Sequence, residues 1–228
     1  MSYKIILFDA DDTLFDFYHT GQKSFLKTCK TLGIPAVEPD YDVYSDINQK
    51  RWDLFSLGKI TKEDVILGRF KEYAEVKNIT FDVKRFNEIY EQNLSETCIL
   101  FPETFATLKE LNERGKRCFL ITNGLKKVQR GRLAISGLAP FFENVFISDE
   151  IGFQKPSKEF FDCVAENVPG FDKRETLIVG DSLVSDVALG INNETDTCHI
   201  NPNNLPYSGD IYPKYTIRNL TELLCGIV

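Results

Sequence analysis

Two hydrophobic regimes divide the 228-residue chain. A compact apolar run at 4–8 stops abruptly at Asp9, Asp11 and Asp12. A run without polar alternation reads as a parallel strand buried on both faces. Comparable runs recur at 117–122, 145–148, 176–180 and 197–200. Helix-length amphipathic segments lie near 103–114, 125–136, 157–167 and 184–192. Strand alternating with helix predicts an α/β fold, a doubly wound parallel sheet with helices on both faces.

Between about 16 and 95 the strand signal disappears and the period is helical throughout. Phe25, Cys29 and Leu32 mark one apolar stripe, and Trp52 with Phe55 marks a second helix. Thr61 and Asp64 have the spacing of a capping box and open a third, which runs on through Val65, Phe70 and Tyr73. Phe86, Ile89, Tyr90 and Asn93 belong to a fourth. Aromatic stripes at helical spacing read first as bundle core. An all-helical insert therefore interrupts the α/β core just after its first strand. Residues 201–213, rich in Asn and Pro, read as a surface loop.

Composition narrows the function. At 43% hydrophobic, with 18 Phe and 9 Tyr, the chain can build a core. Its formal net charge of -7 gives no broad basic surface for a nucleic-acid polymer. A small anionic substrate stays open, because a bound cation reverses the local charge of a site. The six cysteines form no CxxC pair and read as thiols in a reducing compartment. No run approaches the length of a membrane helix. The expected setting is cytoplasmic, without a membrane partner.

Four motifs then carry chemistry. In Phe8-Asp9-Ala10-Asp11-Asp12-Thr13-Leu14, acids follow the carboxyl end of a strand, where open α/β sheets bind ligands. Two carboxylates two residues apart suit a divalent metal or a nucleophile–acid pair, and equally an acidic turn that caps a helix. In Cys118 to Gly124, the Thr122-Asn123-Gly124 turn leads into a helix and could hold phosphate oxygens through a hydroxyl and backbone N–H groups. Pro156 should keep Lys155 out of helix and sit in the first turn of the next one. Lys155 could then reach a phosphate or a carboxylate. In Leu177 to Asp186, Asp181 is placed to ligate a hard cation, or to cap a helix, and Asp186 could orient Lys155 or bind metal-bound water. All four lie at strand ends and can converge on one sheet edge. His19 faces the cleft or stays on the surface. Lys126, Lys127, Arg130 and Arg132 read as a solvated helix face.

In this order the motifs resemble the haloacid dehalogenase superfamily. Asp9-Ala10-Asp11-Asp12-Thr13 matches its DxDxT signature, and Thr122, Lys155-Pro156 and Gly180-Asp181 with Asp186 match its later motifs. The resemblance implies a Rossmann-like core at 1–15 and 96–228 and a helical cap domain at 16–95. It also implies a phosphatase working through an aspartyl-phosphate. Asp9 would be the nucleophile and Asp11 the acid–base. Thr122, Asn123, Gly124 and Lys155 would hold phosphate, with Thr13 and Asp186 in support. Mg²⁺, with Mn²⁺ as a substitute, would sit on Asp9, the Asp11 backbone carbonyl and Asp181. Phe8 to Phe17, Gly152 to Pro156 and the 197–202 region further resemble the YjjG-type pyrimidine 5′-nucleotidases. The implied partner is a small phosphomonoester, a pyrimidine nucleoside 5′-monophosphate first, for a monomer or small homo-oligomer. A phosphosugar phosphatase, a phosphoglucomutase-like enzyme and a non-catalytic binding module are the alternatives. A dehalogenase would lack an acid at position 11.

Overall fold

A computed structural model describes residues 3–207 and 209–228. The elements follow in order as β1 (Ile5–Phe8), α1 (Phe17–Leu32), α2 (Glu38–Ser56), α3 (Lys62–Lys77), α4 (Val83–Ser95), α5 (Thr104–Glu113), β2 (Arg117–Thr122), α6 (Lys126–Ser136), β3 (Phe142–Ile147), α7 (Ser148–Ile151), α8 (Lys158–Asn167), β4 (Thr176–Gly180), α9 (Ala188–Asn192), β5 (Asp196–Ile200) and β6 (Tyr215–Ile217). Short 3₁₀ turns and one π turn join several of them.

The sheet is wholly parallel, in the order β3-β2-β1-β4-β5-β6. This is the doubly wound α/β fold that the strand–helix alternation predicts. The pleat explains the two apolar layers. Ile6 and Phe8 face Leu108, Leu111 and Leu133 of α5 and α6, while Ile5 and Leu7 face Phe160, Phe161 and Val164 of α8. Both faces of β1 are covered, so its sequence shows no alternation. The strand order reverses beside β1, and open α/β sheets bind ligands at such a switch point.

Helices α1 to α4 run consecutively between β1 and α5, as the helical period at 16–95 predicts. Their interior is aromatic. Tyr44 stacks on Phe25 at 4.9 Å and on Phe70 at 5.1 Å, and Tyr90 meets both Tyr44 and Phe70 edge-on. Val128 of α6 joins this cluster, which ties the helices to the α/β core. Thr61 and Asp64 close the expected capping box: the Asp64 N–H donates to Thr61 Oγ1, and the Thr61 N–H donates to Asp64 Oδ2.

Three expectations change. Residues 201–207 and 209–213 are irregular, as expected, with position 208 of that loop outside the described residues, but a sixth strand follows and pairs with β5, because Ile217 fills the core beside Ile200. A strand of three residues is too short to show a period. The segment expected as one helix at 184–192 winds its first turn as a π turn, Leu183–Val187. Pro156 precedes the N-cap Ser157 rather than entering the first turn of α8. All six cysteines are free thiols, three of them buried. Among the described residues no helix is long and apolar enough to cross a membrane.

Phe70 is fully buried at the centre of the aromatic cluster. Phe70→Ala should lower unfolding stability by about 3–5 kcal/mol, the usual range for deleting a core aromatic. A urea titration checks this, and a loss below about 1 kcal/mol would show that the ring is not packed as described.

Candidate active site

Backbone pairing places the first acid. Beyond the end of β1, the Asp9 N–H still donates to Val179 O at 2.8 Å, so Asp9 sits over the β1–β4 boundary. The chain then tightens, with the Leu14 and Phe15 N–H groups both donating to Ala10 O and Asp12 at φ 54°. Asp12 Oδ1 accepts from the N–H of Phe17, the first residue of α1, while Asp16 is the N-cap and accepts from the His19 N–H. Thr13 is buried, and its hydroxyl has no hydrogen-bond partner among the described residues.

Lys155 is the centre of charge. Its ammonium is buried and donates to Asp9 Oδ1 at 2.5 Å, Asp186 Oδ1 at 2.6 Å and Ile121 O at 3.0 Å. Those three contacts use all its donors. Asn123 locks the Lys155 backbone from both sides, accepting from its N–H at 2.8 Å and donating to its carbonyl at 2.9 Å. The asparagine of the second motif therefore braces the lysine of the third. Thr122 is buried at the end of β2, and the Gly124 N–H donates to Thr122 Oγ1 at 3.1 Å. That N–H, expected to be free for phosphate, is engaged in this structure.

Asp9, Asp181 and Asp186 bring carboxylate oxygens within 4.8 Å of one another. Gly180 makes room for this, because a Cβ there would lie 2.2 Å from Asp186 Oδ2. Burial pushes the Asp9 pKa up to about 7, with the Lys155 charge opposing and Asp186 and Asp11 adding. Burial, then the charges of Asp9 and Asp186, holds Asp181 well above the usual carboxylate range. Burial works against the charge of Lys155, but Asp186 and Asp9 outweigh it and hold its pKa above the ordinary lysine value. With all three acids ionised, one ammonium leaves excess negative charge, which adds to burial in raising the pKa values of Asp9 and Asp181. Oxygen-only donors with that excess fit a hard divalent cation. The carboxylate of Asp11 is not one of this group.

Sequence reasoning missed two supports. His199 Nε2 donates to Asp181 O at 2.7 Å, and its Nδ1 accepts from Tyr207 at 2.9 Å. Burial lowers the His199 pKa, so the neutral tautomer serves both contacts. Neither partner could be read without the fold. The second is a correction. Lys126, Lys127 and Arg130 are exposed, but Arg132 is buried and pairs with Asp11 Oδ1 at 2.5 Å. Its position was the available signal, since Leu125, Val128 and Arg132 fall on one helical stripe. His19 is exposed and paired to Asp16.

Helices α2 and α3 form the wall of the cleft opposite the strand ends. Asn48, Gln49, Trp52 and Asp53 of α2 and Arg69 of α3 line it opposite Asp9, Thr122, Lys155 and Asp181. Arg69 is held by Asn48 Oδ1 at 3.0 Å and Asn87 Oδ1 at 3.1 Å.

The haloacid dehalogenase-like hydrolase family matches residues 6–200. The HAD-hydrolase YfnB of Bacillus subtilis is 36% identical over 221 residues, 97% of this chain and 94% of that protein. Its crystal structure, bound to magnesium and revealing interdomain movement, superposes with a TM-score of 0.93 over 99% of this chain and 98% of that one, at 35% identity. The pyrimidine 5′-nucleotidase PynA of Streptococcus pneumoniae is 32% identical over 98% of this chain and 94% of its own. The pyrimidine 5′-nucleotidase YjjG of Escherichia coli is 33% identical over 98% and 97%.

The carboxylate group predicts a metal-dependent melting temperature. Mg²⁺ at about 100 times its Kd should stabilise the fold by about 2.7 kcal/mol, a rise of roughly 5–10 °C for a chain this size. Asp181→Asn should erase that rise and, by relieving repulsion, melt no lower than the metal-free parent. Thermal melts of both proteins with and without Mg²⁺ check this. A parent melt indifferent to Mg²⁺ removes the metal site.

Proposed function

The chain belongs to the haloacid dehalogenase-like hydrolase family and is an enzyme of it, and on that premise we propose a magnesium-dependent phosphatase acting on pyrimidine nucleoside 5′-monophosphates. The observation that carries this reading is the Asp9–Asp181–Asp186 group around a buried Lys155 at the switch point of the sheet. The near full-length likeness to two pyrimidine 5′-nucleotidases supports the substrate class. The magnesium of the YfnB structure supports the cofactor.

Asp9 is the nucleophile. One of its oxygens is already oriented by Lys155, and the other is left to attack phosphorus in line and form an aspartyl-phosphate. Asp9, Asp181 and the Asp11 backbone carbonyl would hold Mg²⁺, which when bound offsets charge on the phosphoryl oxygens. Lys155 adds a fixed positive charge beside the reacting centre. Thr122 and the backbone N–H of Asn123 bind phosphoryl oxygens, and Gly124 joins them once its N–H leaves the Thr122 hydroxyl. Asp11 protonates the leaving oxygen and then takes a proton from the water that opens the intermediate. Asp186 positions Lys155, and Thr13 supports the loop. Helices α1 to α4 act as a cap. Closing over the substrate, they exclude water and place α2 and α3 against the leaving nucleoside.

Phosphate release should therefore appear with UMP and dTMP, need Mg²⁺, and stop on EDTA. Asp9→Asn should reduce turnover at least about 10³-fold with the fold retained by circular dichroism. Near-normal turnover in that variant would overturn the nucleophile. Strong release from glyceraldehyde 3-phosphate with none from nucleotides would move the substrate class to phosphosugars.

A further inference from the structure

Arg132 is 0% exposed. A guanidinium at that depth is costly unless it is paired. Its ion-pair partner among the described residues is Asp11, with Nη2 at 2.5 Å from Oδ1. The contact is charge against charge rather than an aligned hydrogen bond, since Arg132 Nε, Nη1 and Nη2 and Asp11 Oδ1 all lack one among the described residues. The second oxygen of Asp11 is held separately. Gln129 Nε2 donates to Asp11 Oδ2 at 2.7 Å. Gln129 is 2% exposed and lies three residues before Arg132 on α6, so the two side chains rise from one helix face toward one carboxylate.

Neighbouring residues hold these two donors in place. Arg132 lies over the rings of Phe15 at 5.0 Å and Phe17 at 5.6 Å, the residues that lead out of the first motif. Gln129 crosses the second motif at Gly124, where a Cβ would come within 2.2 Å of Nε2. A Cβ at 124 would therefore require the Gln129 side chain to shift. Both oxygens of a loop carboxylate are thereby fixed from a rigid helix, on the wall of the cleft.

We propose that Gln129 and Arg132 are positioning residues that aim the Asp11 carboxyl at the leaving-group oxygen. The inference rests on the phosphatase reading in which Asp11 is the acid–base. In that step the Asp9 oxygen bonds to phosphorus as the bond from phosphorus to the leaving oxygen breaks. The proton of Asp11 passes to that oxygen, and the carboxylate left behind faces Arg132 and Gln129. Neither residue touches the reacting atoms, so each acts through the orientation of Asp11.

The test compares leaving groups. A nucleoside 5′-monophosphate expels an alkoxide that needs a proton, whereas p-nitrophenyl phosphate expels a phenolate that does not. The ratio is read in kcat/KM, which reports phosphoryl transfer to Asp9, with Mg²⁺ present. Gln129→Leu and Arg132→Lys should each lose about 10–100-fold on the nucleotide and less than about threefold on the nitrophenyl ester. Asp11→Asn should show the same selectivity at larger size. Equal losses on both esters mean a structural or binding role and overturn the proposal, as does unchanged or increased nucleotide turnover. Should Arg132→Lys fail to fold, Gln129→Leu alone decides between the two outcomes. An Asp11→Asn variant without leaving-group selectivity withdraws the acid–base reading, and the proposal with it. Selectivity in Asp11→Asn but not in Gln129→Leu overturns the proposal alone.

Discussion

Lys155 is a single buried ammonium set between Asp9 and Asp186, with Asp181 close to both. Three carboxylates within 4.8 Å repel one another, and one lysine offsets only part of that charge. The remainder fits a hard divalent cation beside the outer ends of β1 and β4. Much of the neighbouring structure serves this imbalance. Asn123 pins the lysine backbone, Gly180 admits Asp186, and His199 holds the carbonyl of Asp181. Loss of any one would loosen groups whose charges are compatible only at fixed distances.

The sheet supplies the fixed distances. Asp9 and Asp181 follow adjacent parallel strands, β1 and β4, whose register is set along four residue pairs. Parallel neighbours deliver their carboxyl ends to the same edge, so acids 172 residues apart in sequence meet without long flexible loops. The helices between β1 and α5 hang from that same edge. Their aromatic interior packs them together, and Asn48, Trp52 and Arg69 line the cleft opposite the ends of β1, β2 and β4.

Helix α6 joins the two halves of the cleft. Val128 packs into the aromatic cluster, while Gln129 and Arg132 reach the first motif. One turn of helix therefore touches the helical unit on one side and Asp11 on the other. A charged side chain on an otherwise apolar stripe is the local mark of a buried polar contact, met by the Asp11 carboxylate at Arg132 and by two amide oxygens at Arg69.

The sequence by itself determined the alternation of elements and the acids and lysine of the site, because both are local properties. An apolar run ending in Asp9 or Asp181 identifies a buried strand and the residue that leaves it. The helical period of 16–95 likewise marks an insert, and Thr61 with Asp64 marks where one helix begins. Tertiary structure decided what each group touches. Arg132 reads as one charge in a basic run until the first motif folds against α6, and Asn123 reads as a turn residue until Lys155 arrives from 32 positions away. His199 and the strand Tyr215–Ile217 were likewise invisible, one a lone ring and the other too short to show a period. Periodicity records which way a side chain points relative to its own backbone. Partners across the fold depend on how whole elements pack, and no local pattern encodes that distance.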